Sequence, residues 1–280
     1  MRIEPANGLL GGKMARVPVI LIVLLSLSVV VGAQPAPGSV TLTWLGQGTF
    51  VMNTSTGLKV LLDPTNPGAY HPPPVEGVDA ITISHEHGDH NYVQMATGSP
   101  LIIRGLTQDD FAKVDQTIKG VRIRTVPAYH DSEKGARRGR NALFVFEMPG
   151  LKIAHLGDLG HRLDPQQVSA MGPIDVLMTP MAGGPTMDPK TALEVVDQLK
   201  ARVVIPMHYA TAALAARAAT GAAAPGAKPA GGGRGFSMAG VDEFLKALDP
   251  SVRVEQAAHQ ITLVAGKLPS QRTVMVMKYE

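Results

Sequence analysis

The sequence predicts a layered α/β fold with a mixed β-sheet, and three observations lead there. Short apolar runs come first as hairpin-like pairs split by Gly-bearing turns, and later runs alternate with helical patterns. Hydrophobic residues make up 45% of the 280, enough for a sizeable core.

The chain opens with Arg2, Lys13 and Arg16 ahead of a 13-residue apolar run, Val19 to Val31, which contains Ser26 and Ser28 and ends at Gly32-Ala33-Gln34. A basic stretch, an apolar core and small residues at a cleavage site read as a secretory signal over residues 1–33. The run is short of the roughly 20 residues that a spanning helix needs. The expectation is therefore an exported, periplasmic or secreted protein starting at Gln34 with no stable membrane anchor; an uncleaved anchor is the alternative. Residues 34–39, with two prolines, form a spacer, and the domain proper covers 40–280.

Three runs, Val40 to Leu45, Thr49 to Asn53 and Leu58 to Asp63, are separated by Gly46-Gln47-Gly48 and Thr54-Ser55-Thr56-Gly57, the pattern of an antiparallel meander. Pro64 to Pro74 carries five prolines and is read as a surface loop. Strands are expected at Ala80 to Ser84, Leu101 to Arg104, Val121 to Val126, Ala142 to Met148, Lys152 to Leu156, Val176 to Thr179 and Val203 to Pro206. Helices are expected at Thr107 to Thr117, Asp164 to Ala170 and Asp188 to Lys200. The last is the clearest, with Ala192, Val195, Val196 and Leu199 at helical spacing behind Asp188-Pro189. Residues 210–234 are rich in Ala, Gly and Pro and are read as a flexible insertion, with Pro225 and Pro229 barring a helix beyond Ala224.

Charge and composition exclude several classes. The formal net charge of +3 falls once residues 1–33 are removed, leaving 23 basic against 22 acidic residues. With 4% aromatics there is neither a basic groove nor a stacking platform, so no nucleic-acid partner is expected. The chain has no cysteine, which excludes disulfides, thiolate catalysis and sulfur-ligated metals.

The chemistry concentrates after the strand Ala80 to Ser84, where ITISHEHGDHN sets His85, His87, Asp89 and His90 within six residues. Strand alternation puts His85 and His87 on one side, and Gly88 lets the backbone turn so that Asp89 and His90 leave on the curve. Three imidazoles and a carboxylate so close have little use in a core, where polar groups need partners. They suit metal ions. Other strand candidates end in similar residues: His130 after Val121 to Val126, Asp158 after Lys152 to Leu156, and His208 after Val203 to Pro206. Ligands at one edge of a sheet converge although far apart in sequence.

The ordered set His85-x-His87-x-Asp89-His90, His130, Gly157-Asp158 and His208 resembles the metallo-β-lactamase superfamily of dinuclear hydrolases. Trp44-Leu45-Gly46, Leu62-Asp63-Pro64, the run His155 to His161, and Ile205 to Tyr209 are similar to its branch of ascorbate-6-phosphate lactonase-like proteins. The resemblance spans about Val40 to Tyr209. It implies a four-layer αββα sandwich of two mixed sheets flanked by helices, with metal at one edge. By position it implies His85, His87 and His130 on a first ion, Asp89, His90 and His208 on a second, and Asp158 bridging them. It further implies two divalent ions, zinc first, with manganese or iron as alternatives. Their bridging water, as hydroxide, would attack a carbonyl or phosphoryl centre, with Asp89 as catalytic proton acceptor. The function expected is hydrolysis of an ester, lactone, phosphodiester or amide in a small molecule; the competing reading is a non-catalytic metal- or ligand-binding protein on the same fold.

Departures and bystanders complete the reading. Gln47 stands where this branch often has histidine, and the lack of cysteine separates the chain from β-lactamases with a sulfur ligand. Asp63 either orients a ligand imidazole or caps a turn, His155 is read as a packed core histidine, and His161 as either a neighbour of the site or a loop residue. His71 and His259 are assigned nothing. Arg137, Arg138 and Arg140 form one basic cluster, suited either to an anionic substrate or to an exposed turn.

Overall fold

The structure is a computed structural model and describes residue 1 and residues 36–68, 70–184, 186–220 and 238–279. Residues 2–35 and 221–237 lie outside the described residues, and with them the expected signal and most of the expected insertion. Residues 34–280 form one unit.

The meander forms as the Gly-bearing turns suggest: β1 (Ser39–Trp44), β2 (Phe50–Thr54) and β3 (Lys59–Leu62) are antiparallel neighbours. β4 (Ala80–Ile83) then lies parallel to β3, and β5 (Leu101–Arg104) parallel to β4. Next come β6 (Asp115–Ile118), β7 (Val121–Tyr129), β8 (Arg140–Met148) and β9 (Leu151–His155), a second antiparallel series. Helices enter from there: α1 (Pro165–Met171), β10 (Val176–Pro180), α2 (Pro189–Gln198), β11 (Val203–Met207), α3 (Ala212–Thr220) and α4 (Val241–Lys246). The chain closes with β12 (Arg253–Ala257), β13 (Gln260–Val264) and β14 (Thr273–Met277).

These strands make two mixed sheets, of order β13-β1-β2-β3-β4-β5 and β12-β14-β11-β10-β9-β8-β7-β6. Trp44, Phe50, Met52 and Leu62 from the first share one apolar core with Phe144, Phe146, Ile153 and Ile205 from the second. α1 packs on β7 and α2 on β10 and α4, which supplies the helical layer over the eight-stranded sheet. Over the six-stranded sheet, Val75, Val78 and Met95 close on Ile81 and Ile83. That layer is loop and one 3-10 turn, Val93–Met95, because the prolines of residues 64–74 deny it a helix. The αββα sandwich thus has one thick helical side and one thin side.

α1 and α2 begin where Asp164 and Asp188 cap them, each accepting the N–H three residues on, with Pro at the first helical position. Thr107 to Thr117 is a correction: it contains no helix. Phe111, Val114 and Ile118 mimic helical spacing, but Thr107 closes a turn on Asp110 and β6 pairs with β7, fastened by Arg122 to Asp115 at 2.7 Å. Register places the C-terminal ends of β3, β4, β7, β9 and β11 at one rim, and the turns Ser55–Gly57, Lys119–Gly120 and Pro149–Gly150 at the other. At that far rim the Lys119 ammonium donates to Gly57 O at 3.0 Å, joining turns from the two sheets.

Candidate metal centre

The near rim gathers all seven residues singled out in the sequence. His85, His87, Asp89 and His90 follow β4 of the six-stranded sheet, whereas His130, Asp158 and His208 follow β7, β9 and β11 of the eight-stranded one. Among the described residues, ligand atoms of His85, His87, His130 and Asp158 lie within 4.8 Å of one another, and so do those of Asp89, His90 and His208. The Asp158 carboxylate lies between the groups. Its Oδ2 is 3.0 Å from His130 Nε2 and 3.2 Å from His208 Nε2, and its Oδ1 is 3.2 Å from His90 Nε2.

Neighbouring side chains fix the imidazoles. Asp63, buried just past β3, accepts the Ser84 amide at 2.8 Å, the Ser84 hydroxyl, and His90 Nδ1 at 2.9 Å. His85 Nδ1 meets the Ser84 hydroxyl at 2.9 Å. Both rings then turn Nε2 toward Asp158, the tautomer in which that nitrogen keeps its lone pair. Asp63, His85 and His90 also form a close triple, but the Asp63 oxygens are filled by these donors, so it orients imidazoles and does not ligate.

Asp158 is held in turn by Asn141, which accepts its amide at 2.9 Å and donates to Leu156 O at 2.9 Å. Gly157 between them has φ +52, and a Cβ there would overlap Asn141 Oδ1 and Ser84 Oγ. Gln47, in the β1–β2 turn, places its Nε2 3.0 Å from Asp89 Oδ2 and 2.7 Å from His208 Nε2. Gln47, Asp63 and His208 all take left-handed φ, of 50, 42 and 53°. Non-glycine residues rarely adopt it, and three at one rim mark a constrained site.

His155 and His161 spend both nitrogens elsewhere. His155 reaches Gly48 O at 2.7 Å and accepts from Gly157 N at 3.2 Å, while His161 reaches Arg162 O at 2.6 Å and accepts from Tyr129 N at 3.1 Å. His71 and His259 belong to none of the ligand clusters of the described residues. Sequence reasoning passed over Ser84 and Asn141. Ser84 stood beside His85 as a hint; Asn141, at the far end of a hairpin, had no local signal.

The electrostatics call for a cation. Burial opposes charge on Asp158, yet His208 and His90 beside it, with hydrogen bonds from His130 and His208, hold its carboxyl well below the usual range. Burial likewise opposes protonated His90 and His208, but Asp158 pushes His90 well up and His208 to about 9. Burial and the neighbouring His90 drive His85 well down, and burial with His130 lowers His87. Ligation needs the lone pair of each imidazole, so metal uptake by this cluster would be coupled to proton release. His90 Nε2 and Asp158 Oδ1 are buried, 3.2 Å apart, and neither has a hydrogen-bond partner. Such a pair needs positive charge, and an all-nitrogen and oxygen donor set fits a divalent ion.

Comparison with known proteins agrees with this geometry. A β-lactamase superfamily domain matches residues 41–208. A UPF0173 metal-dependent hydrolase of Thermococcus onnurineus is 35% identical over 193 residues, spanning 61% of this chain and 85% of that protein. A second, from Anaeromyxobacter, is 33% identical over 215 residues, 64% of this chain and 78% of that one. Among solved structures, a Thermotoga maritima protein assigned as a Zn-dependent hydrolase of the metallo-β-lactamase superfamily superposes with TM-score 0.62 and 33% identity, covering 86% of this chain and 100% of that one. On the two mixed sheets, the histidine and aspartate clusters at their shared rim and these matches, the chain belongs to the metallo-β-lactamase superfamily and, within it, to the metal-dependent hydrolases.

Proposed function

We propose that this chain is an exported hydrolase that works with two divalent ions, zinc or else manganese or iron, on an ester, lactone, phosphodiester or amide of a small molecule. The observation that carries the two-ion reading is the Asp158 carboxylate, which reaches both groups: its Oδ2 lies 3.0 Å from His130 Nε2 and 3.2 Å from His208 Nε2, and its Oδ1 3.2 Å from His90 Nε2. His85, His87 and His130 would hold one ion, Asp89, His90 and His208 the other, and Asp158 both. Ions so held supply Lewis acidity, which lowers the pKa of water and polarises the scissile group.

The chain's own residues do the rest. Asp63 and Ser84 set the imidazole tautomers, and Asn141 aims Asp158. Asp89 differs from Asp158 in exposure: its side chain is 40% exposed and that of Asp158 3%. A carboxylate that solvent reaches can accept a proton from an attacking water and pass it on, with Gln47 Nε2 fixing its orientation at 3.0 Å. An ester, a lactone, a phosphodiester and an amide each present a carbonyl or phosphoryl centre to such a site.

Metal content per chain, measured beside a screen of generic esters, lactones, phosphodiesters and amides, tests the reading. Two equivalents and turnover that chelation abolishes are expected; one equivalent at saturation would refute the dinuclear assignment. Export is tested separately, by sequencing the N-terminus of protein from its native host. A start at Gln34 is expected, and Val19 to Val31 retained in a membrane fraction would overturn it.

A further inference from the structure

A cleft of about 500 Å³ opens on His87 and His130 and is also lined by Arg137 and Arg138. Its chemistry bears on which small molecule the site takes, an inference that rests on the hydrolase reading above. We propose that the substrate carries an anionic group, phosphate or carboxylate, which Arg137 and Arg138 receive while the scissile bond lies against His87 and His130.

The two arginines sit on a built loop. Asp131 Oδ1 accepts the amides of Glu133 and Gly135 at 2.8 and 2.9 Å, and its Oδ2 accepts those of Arg137 and Arg138 at 3.0 and 2.7 Å. The His130 amide donates to Gly139 O at 3.1 Å, so the loop closes on the very residue that faces Asp158. One carboxylate thus fixes the backbone of both arginines next to the metal ligands. Preorganisation of this kind lowers the ordering cost of binding.

Charge points the same way. Asp131 is the one acid among the described residues lining this cleft, and four backbone donors already occupy its oxygens. Arg137 pairs with Glu133 at 2.6 Å, but both are exposed, and such a pair yields readily to a substrate anion. Guanidinium forks bind phosphate and carboxylate oxygens in pairs. Arg140, the third member of the cluster, lies over the Phe111 ring, 5.8 Å from its centroid, and does not line the cleft. A second cleft of about 560 Å³ shares Asp131, Ser132, Gly160 and Thr186 with the first and gives the body of a substrate room to extend.

The test reads binding, not turnover. Phenylphosphonate, benzoate and neutral benzamide are titrated calorimetrically into the metal-loaded full chain and its Arg137→Gln, Arg138→Gln, double and Arg140→Gln variants, with metal content measured on each. The inference expects phenylphosphonate or benzoate to bind and to weaken about 10-fold or more for each cleft arginine removed, with Arg140→Gln unchanged and benzamide not binding. The stronger of the two anions identifies the substrate group. Anion affinity that the double variant leaves intact, or no anion binding by the wild type, overturns the proposal. Either result leaves two-ion hydrolysis standing; conversely, arginine-dependent binding in a protein that takes up one ion at saturation sinks the two-ion reading alone.

Discussion

Replacing Asp63 by Asn probes how much of the candidate metal centre is made by residues outside the proposed ligand set. The carboxylate accepts from the Ser84 amide, the Ser84 hydroxyl and His90 Nδ1. An amide of the same shape has one acceptor oxygen and one donor nitrogen. Whichever way it turns, its NH₂ meets either the Ser84 amide or His90 Nδ1–H, and one buried donor loses its acceptor. Asn adopts left-handed φ readily, so the φ of 42° at this position adds no strain. An unsatisfied buried donor costs about 1–3 kcal/mol, which for a domain of this size is about 2–12 °C in Tm. If His90 escapes by moving its proton to Nε2, the ligating lone pair is gone, and metal affinity should fall about 10- to 100-fold. Competition against a chromophoric chelator gives the affinity, and melting with and without metal separates the two effects. Metal affinity within twofold of wild type, whatever the Tm, would falsify the orienting role of Asp63.

Further outcomes follow from the same geometry. Asp89→Asn keeps a weak oxygen ligand and loses the proton acceptor, so it should retain the first ion and lose about 10²-fold in kcat; full metal with near wild-type turnover would reduce Asp89 to scaffolding. Because the candidate ligands come from both sheets, chelation should remove about 2.7 kcal/mol of stability relative to protein with metal at 100 times its Kd, lowering Tm by about 5–11 °C; identical melts with and without zinc would contradict this. Burial raises the carboxyl of Asp131, but backbone N–H donors from Arg138, Glu133, Gly135 and Arg137 outweigh it and hold the pKa below its usual value. A depressed folded pKa stabilises above the unfolded value of about 3.9 and is lost as pH falls through the folded one. The Arg137 and Arg138 amides should therefore keep their hydrogen-exchange protection down to about pH 4 and lose it below; loss near pH 6 would mean that Asp131 does not hold the loop.

Much of the site was legible because its residues are local or stand at strand ends. Six residues after β4 carry four of the seven candidates, and strand polarity alone brings His130, Asp158 and His208 to the same rim. What escaped works through register: Asn141 lies 17 residues before Asp158 yet accepts its amide because β8 returns antiparallel to β9. β12 was missed because it lies at a sheet edge, largely exposed, with no apolar alternation to announce it. Thr107 to Thr117 misled because Phe111 and Val114, with Ile118 just beyond, fit a helical face as well as a hairpin. Gln47 was noticed as a departure, but its contact with both Asp89 and His208 depends on a backbone turn that no periodicity encodes.

The two rims also have a practical use for anyone who wants this protein on a surface. β8 and β9 run the depth of the eight-stranded sheet, from Asn141 and His155 near the ligands to the Pro149–Gly150 turn at the far end. Both residues of that turn are exposed, and Gly150 takes a φ of +76° where the chain reverses between β8 and β9. A tether attached there would anchor the molecule by its back, leaving the metal rim and its arginine loop facing the solution. Loop tips of this kind are where insertions are best borne. An immobilised catalyst or sensor built on this chain has its point of attachment at residues 149–150.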